Sequence, residues 1–161
     1  MNISHCRGQK LDSLLRMVIE IDFSIIIFCV GGSGLTPCLQ VVRCILEGPE
    51  GEGDTTTFTL LFQNRTEEDI LLRAELDKLA ADHSARFKVV YFLSNPGNDS
   101  WGKSGSTHDR RGYVDSTAMK SFLGPEICQF VGVCGPAGFT ESMTKLLAGI
   151  GHSGESAVHV F

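Results

Sequence analysis

From residue 23 onward the chain alternates short apolar runs with stretches whose apolar side chains recur at helical spacing. FSIIIFCV (23–30), TTTFTLLF (55–62), FKVVYFL (87–93), CQFVGVC (128–134) and SAVHVF (156–161) read as five strands. The middle of each is apolar almost throughout, the pattern of strands covered on both faces. Between them, CLQVVRCILE (38–47), TEEDILLRAELDKLAADH (66–83), DSTAMKSFL (115–123) and GFTESMTKLLAGI (138–150) read as helices. In the second, Ile70, Leu71, Leu72, Leu76 and Leu79 keep helical spacing. Alternating strands and helices predict an α/β fold, a doubly wound parallel five-stranded sheet with helices on both faces and strand order 3-2-1-4-5.

Two stretches stand outside this rhythm. Residues 1–22 form an atypical start, in which Leu11, Leu14, Leu15, Val18 and Ile19 share one face of a short amphipathic helix. Residues 94–112, SNPGNDSWGKSGSTHDRRG, have no period and are expected to form a long surface loop, with Arg110 and Arg111 as solvated charges or, alternatively, as a docking point for an acidic partner. The remainder, 23–161, is long enough for one domain with a sizeable core.

Charge and cysteine usage narrow the classes. A net charge of −5 disfavours a nucleic-acid partner, which needs a basic face. The six cysteines form no C-x-x-C pair and the five histidines no H-x-x-x-H pair, so no metal site is expected. Several cysteines lie within apolar runs, and reduced thiols fit a cytoplasmic protein. VIEIDFSIIIFCV (18–30) is interrupted by Glu20 and Asp22 and is too short for a transmembrane segment; the start also lacks a secretory signal pattern.

The chemistry concentrates in two turns. After the first strand comes GGSGLTP (31–37): Gly31, Gly32, Ser33 and Gly34 permit a sharp turn. Thr36 is the expected N-cap and Pro37 the expected first helical residue. A helix N-terminus framed by glycine is an anion site, with pyrophosphate a frequent occupant. The bland alternative is a tight turn without a ligand. After the fourth strand, CGPAGF (134–139) repeats the design with Gly135 and Pro136. In the order 3-2-1-4-5 these turns are neighbours at the point where strand order reverses, where open α/β sheets bind ligands. That coincidence favours a nucleotide site.

GGSGLTPCLQVVRCIL, FQNRTEEDILLRAEL and CGPAGFTESMTKLL, in this order, resemble the NAD-binding lobe of the NADH-cytochrome b5 reductase family, within the ferredoxin-reductase-like flavoproteins. The resemblance runs from about Phe23 to Phe161 and implies a Rossmann-like NADH site. It places the pyrophosphate on Gly32–Pro37, with Gly34 a glycine so that the backbone can approach it. Cys134 would position the nicotinamide, its bland alternative being an ordinary buried thiol. Gln63 would reach the adenosine. Asp69 would face the adenosine ribose and favour NADH over NADPH, no basic cluster being expected there; it also fits a capping box with Thr66 at the start of the second helix. Phe62 and Phe139 read as core, and Phe161 is left outside the site.

The family pairs this lobe with an FAD-binding barrel. Its Arg-x-Tyr-(Thr/Ser)-Pro stretch and glycine–serine turn are not in this sequence, and residues 1–22 are too short for a barrel, as in a truncated or split protein. The implied function is an NADH-dependent oxidoreductase domain that positions NADH for hydride transfer to FAD and onward to a haem protein such as cytochrome b5. FAD is expected only where a flavin lobe is supplied. The alternatives are a non-catalytic module binding NADH or a partner, and a truncated fragment lacking its flavin lobe; in each case a cytoplasmic protein is expected, at the cytosolic face of a membrane only through a partner.

Overall fold

The structure, a computed structural model, describes residues 24–49, 52–97, 99–102, 109–123, 129–154 and 158–161. The proposed N-terminal amphipathic helix, with Leu11, Leu14, Leu15, Val18 and Ile19, lies outside the described residues, as does Cys128 at the start of the predicted fourth strand. The elements in chain order are β1 (Ile25–Gly31), α1 (Leu35–Glu47), β2 (Thr57–Asn64), α2 (Arg73–Asp82), β3 (Phe87–Leu93), β4 (Asp109–Arg111), α3 (Ser116–Phe122), β5 (Gln129–Cys134), α4 (Ala137–Gly149) and β6 (Val158–Val160). A single 3-10 turn, Gly32–Gly34, joins β1 to α1.

The strands form one six-stranded sheet in the order β4-β3-β2-β1-β5-β6, and every pairing is parallel. The five strands legible in the sequence take their expected order. The addition is β4, which the sequence presented as loop: DRR is three charged residues, and its pairing of Tyr91–Leu93 with Asp109–Arg111 leaves two arginines exposed on a sheet edge. Charged, short edge strands resist further pairing and carry no apolar alternation by which to be recognised.

Side chains alternate across the pleat, so each strand feeds two cores. Phe28, Phe58, Phe62, Tyr91 and Phe130 face one layer with Leu35, Val41 and Ile45 of α1 and Leu76 and Leu79 of α2. Ile27, Cys29, Leu61, Val90, Val131 and Val133 face the other, with Met119 of α3 and Met143 and Leu147 of α4. Phe62, read as core, has no exposed surface. At about 1.5–3 kcal/mol for each large apolar side chain removed from water, these layers dominate the stability of the domain.

Two helices begin elsewhere than the sequence suggests. α1 starts at Leu35 with Gly34 as N-cap, because the 3-10 turn runs straight into it. Thr36 is therefore inside the helix, its hydroxyl donating to Ser33 O at 3.4 Å, and Pro37 is the third helical residue, still within the turn whose N–H groups lack helical partners. α2 starts at Arg73, not Thr66. Asp69 accepts hydrogen bonds from Thr66 N at 2.9 Å and Thr66 Oγ1 at 3.0 Å, closing a separate turn that buries Ile70. Leu72 then adopts a left-handed conformation, φ 54°, which ends the turn before the helix can propagate backwards.

Candidate functional site

β1, β2 and β5 end together. Gly31 pairs with Gln63, and Val30 pairs with Cys134, so the two glycine turns leave the sheet side by side. Their contact is intimate: a Cβ on Gly34 would lie 2.4 Å from Cys134 O and 2.7 Å from Gly135 N. The turn after β5 thus occupies the place a side chain at Gly34 would need, a packing reason for glycine that stands beside the expected approach of a ligand. Gly31 and Gly135 likewise make room for the ring of Phe139, whose Cδ1 would lie 2.8 Å from a Cβ on Gly135. Phe139 is half-buried and caps both turns, so it belongs to the site and not only to the core.

These turns open onto a cleft of roughly 860 Å3. Gly31, Gly32 and Gln63 form its floor, and Pro136, Gly138, Phe139, Ser142 and Met143 one wall. The opposite wall comes from Asn64, Arg65, Glu68, Asp69 and Leu71, closed by Ser94, Tyr113 and Val114. The volume falls within the range of small-molecule and cofactor sites. The N-terminal ends of α1 and α4, each thirteen residues long, meet at this edge and bring partial positive charge to it. Asn64, on the cleft wall, holds a buried Nδ2 without an acceptor among the described residues. Such a donor costs about 1–3 kcal/mol while unpaired, which suits a wall completed by a polar ligand.

Among the residues expected in the site, Gly31, Gly32, Gln63, Asp69 and Pro136 share the cleft. Gly34 and Gly135 support it from beneath, and Ser33, Thr36 and Pro37 lie along the turn and first helical residues outside its lining. Cys134 stands apart. It is 8% exposed and packs in the α1 layer, because the pleat turns Phe130 and Cys134 one way and Val131 and Val133 the other. Its thiol is hydrogen-bonded with that of Cys38, and this contact, followed by burial, holds the Cys38 pKa well above the usual thiol range. Burial alone pushes Cys29 up to about 12. Cys29 and Cys38 are therefore packing thiols, not activated nucleophiles.

Gln63 is buried at 8% exposure, and its amide is spent on backbone groups: Nε2 donates toward Phe92 O and Gly112 O at 3.3 Å, and Oε1 accepts from Val114 N at 3.0 Å. Asp69 keeps its bond to Thr66 while lining the cleft. No basic cluster was expected beside it, and a single basic residue, Arg65, shares the same wall. Arg65, Ser94 and Tyr113 escaped the sequence reading; Tyr113 is 72% exposed and follows a segment without periodicity. An aromatic directly after Gly112 was the available signal.

Arg73 holds the wall from behind. It pairs with Glu67 at 2.6 Å, Asp77 at 3.6 Å and Asp109 at 3.8 Å, and its guanidinium lies 5.3 Å and 5.0 Å from the ring centres of Tyr91 and Trp101. Trp101 Nε1 donates to Arg110 O at 3.0 Å, and Tyr91 OH to Asp77 at 2.7 Å. The Thr66–Leu72 turn and β4 are thereby tied to one cation. Arg111 on β4, read as a solvated charge, reaches Asp99 at 3.5 Å.

Among the described residues, no group of three or more His, Cys, Asp and Glu side chains is placed to hold a metal ion, and no helix is long and apolar enough to cross a membrane.

Comparison with known proteins gives a concordant picture. Residues 28–145 match the family model of the oxidoreductase NAD-binding domain. NADH-cytochrome b5 reductase 1 of Dictyostelium discoideum is 41% identical over 132 residues, which span 81% of this chain and 42% of that protein. Nitrate reductase [NADH] of Volvox carteri is 37% identical over 137 residues, 82% of this chain and 15% of that protein. The cytochrome b5 reductase domain of Ulva prolifera nitrate reductase superposes with a TM-score of 0.72 at 31% identity, covering 86% of this chain and 50% of that one. The CS-b5R domains of human Ncb5or, in their NAD+ form, give 0.73 at 25% identity, covering 89% and 38%. The chain therefore spans at most about half the length of these relatives.

Proposed function

The chain belongs to the oxidoreductase NAD-binding domain family, the NAD lobe of cytochrome b5 reductase-type oxidoreductases, and from that premise we propose that its cleft binds NADH and presents the nicotinamide to a flavin held by a second lobe. The observation that carries this reading is the interlock of Gly34 with Cys134–Gly135 beneath the floor of the cleft. It locks two helix N-termini at one sheet edge, a preorganised site for a pyrophosphate.

In this reading Gly31, Gly32, Ser33, Gly34, Thr36 and Pro37 build the pyrophosphate turn. Gly135, Pro136 and Phe139 border the nicotinamide end, and Cys134 acts through its backbone and its packing on Cys38. The adenosine half lies toward β2 and β3, between Asp69 and Tyr113. Bound NADH supplies a hydride, and no protein side chain accepts one, so FAD is the acceptor and a haem protein such as cytochrome b5 the onward partner. The chain's own work would be to bind and orient the dinucleotide and exclude water from it.

The test is an NADH titration of the chain, followed by ferricyanide reduction with and without a separately expressed FAD lobe of the family. Saturable NADH binding with turnover only in the presence of the lobe is expected. Binding without turnover in either case supports a non-catalytic NADH module instead, and absence of NADH binding overturns the site.

A further inference from the structure

Gln63 is bonded as a structural bracket. Its Nε2 reaches Phe92 O and Gly112 O, both at 3.3 Å, together with Asn64 O at 3.2 Å, and its Oε1 takes the N–H of Val114 at 3.0 Å. These partners belong to the ends of β2 and β3 and to the link from β4 into α3. Among the described residues, the one further hydrogen bond on Gly112–Val114 is Gly112 N–H to Leu93 O at 2.8 Å. Gly112 sits at φ 99°, and Tyr113 is 72% exposed, so the tyrosine inherits its place from its neighbours more than from its own packing.

We infer that Gln63 is a positioning residue that holds Tyr113 and Val114 as the outer wall of the cleft and thereby sets affinity for the adenosine half of the ligand. The inference rests on the reading of the cleft as an NADH site. β2 and β3 lie on the opposite side of β1 from the β5 turn, so a dinucleotide whose pyrophosphate sits on the β1 turn, with its nicotinamide toward β5, leaves its adenosine against this wall. Only a side chain carrying both a donor and an acceptor satisfies the bracket. A carboxylate would face the carbonyls of Phe92 and Gly112, and an apolar chain would leave a buried Val114 N–H without its acceptor.

The experiment compares the full chain with Gln63→Met and Gln63→Glu. It measures hydrogen exchange at the Val114 amide and titrations with ADP-ribose and with nicotinamide mononucleotide. In Gln63→Met, Val114 protection is expected to fall about tenfold and ADP-ribose to bind about tenfold more weakly, with nicotinamide mononucleotide unchanged. Gln63→Glu, which keeps the acceptor, is expected to retain Val114 protection and still lose ADP-ribose affinity. Unchanged ADP-ribose binding, or equal losses for both ligands, overturns the inference. Should Gln63→Met fail to fold, Gln63→Glu decides by the same ligand comparison. If the wild-type chain binds no ADP-ribose, the nucleotide reading fails, and unaltered Val114 exchange in Gln63→Met would then overturn the bracket as well.

Discussion

Gly34 faces the peptide bond between Cys134 and Gly135 so closely that a Cβ at residue 34 would lie 2.4 Å from the Cys134 carbonyl oxygen. The atoms in the way are backbone at the end of a central strand, which cannot rotate aside. Gly34→Ala should therefore cost about 1–3 kcal/mol by overpacking and weaken NADH through displacement of the β5 turn. Urea denaturation read together with NADH titration checks both. A Gly34→Ala protein with wild-type stability would show that the two turns can part freely.

Gly138 supplies the contrast. It lies in the first turn of α4, where a Cβ meets nothing within 4 Å. Gly138→Ala should raise stability by up to about 1 kcal/mol, through helix propensity alone. Thermal unfolding of the two alanine variants side by side separates the interlock from a generic glycine effect.

Three charged residues line one wall, Glu68, Asp69 and Arg65, and in the proposed site the cofactor preference is expected to depend on them. Two carboxylates against one guanidinium favour a ribose without a 2′-phosphate, so NADH is expected to bind more tightly than NADPH. Asp69→Asn should narrow the ratio and Arg65→Gln widen it, each by about twofold to fivefold for the loss of one exposed charge. Competition of NADH and NADPH in the same titration measures the ratio. Wild-type preference for NADPH would reassign the wall to Arg65.

Arg73→Met should separate the Thr66–Leu72 turn from β4. The guanidinium lies between Tyr91 and Trp101 and pairs with Glu67, which an apolar chain of similar length cannot reproduce. A loss of about 1–2 kcal/mol is expected. Trp101, the single tryptophan of the chain, reports directly. Its emission should shift to the red, and unchanged emission would place it outside the clamp.

Alkaline pH should destabilise the fold before any acid effect from these groups appears. Burial holds the Cys29 thiol near 12 in the folded state against 9.0 for an exposed one, and Cys38 and Tyr91 are raised as well, Cys38 chiefly by Cys134 and Tyr91 chiefly by burial. Below the unfolded value both states keep the proton and the contribution of Cys29 is intact. From about pH 9 to about pH 12 the unfolded chain loses a proton that the folded chain retains, so stability falls by about 1.4 kcal/mol per pH unit for this group. Urea midpoints at pH 7, 9 and 10 test the sign, and Cys29→Ala should flatten the alkaline limb.

The parallel sheet, its central strand order and the two glycine turns were legible in the chain. Their signals are local: apolar runs such as Ile25–Val30 and Phe87–Leu93, and glycine and proline at strand ends. The late start of α2 was not, because Ile70, Leu71 and Leu72 keep helical spacing while the Asp69–Thr66 bond and the left-handed Leu72 divert the backbone. β4 was not, because an edge strand of charged residues has no hydrophobic period.

The site divides in the same way. Gly31, Gly32 and Pro136 could be placed at one cleft from motif and strand order, because each sits at a fixed step beyond a strand, and Asp69 from the family resemblance. What Gln63, Gly34 and Cys134 touch was decided by tertiary structure alone. Gln63 acts on residues up to 51 positions away in the chain, Gly34 answers to a peptide bond from another strand, and the pleat turns the Cys134 thiol toward Cys38. Sequence determines which groups can turn, cap or pair; packing of distant segments determines which space each group finds already filled.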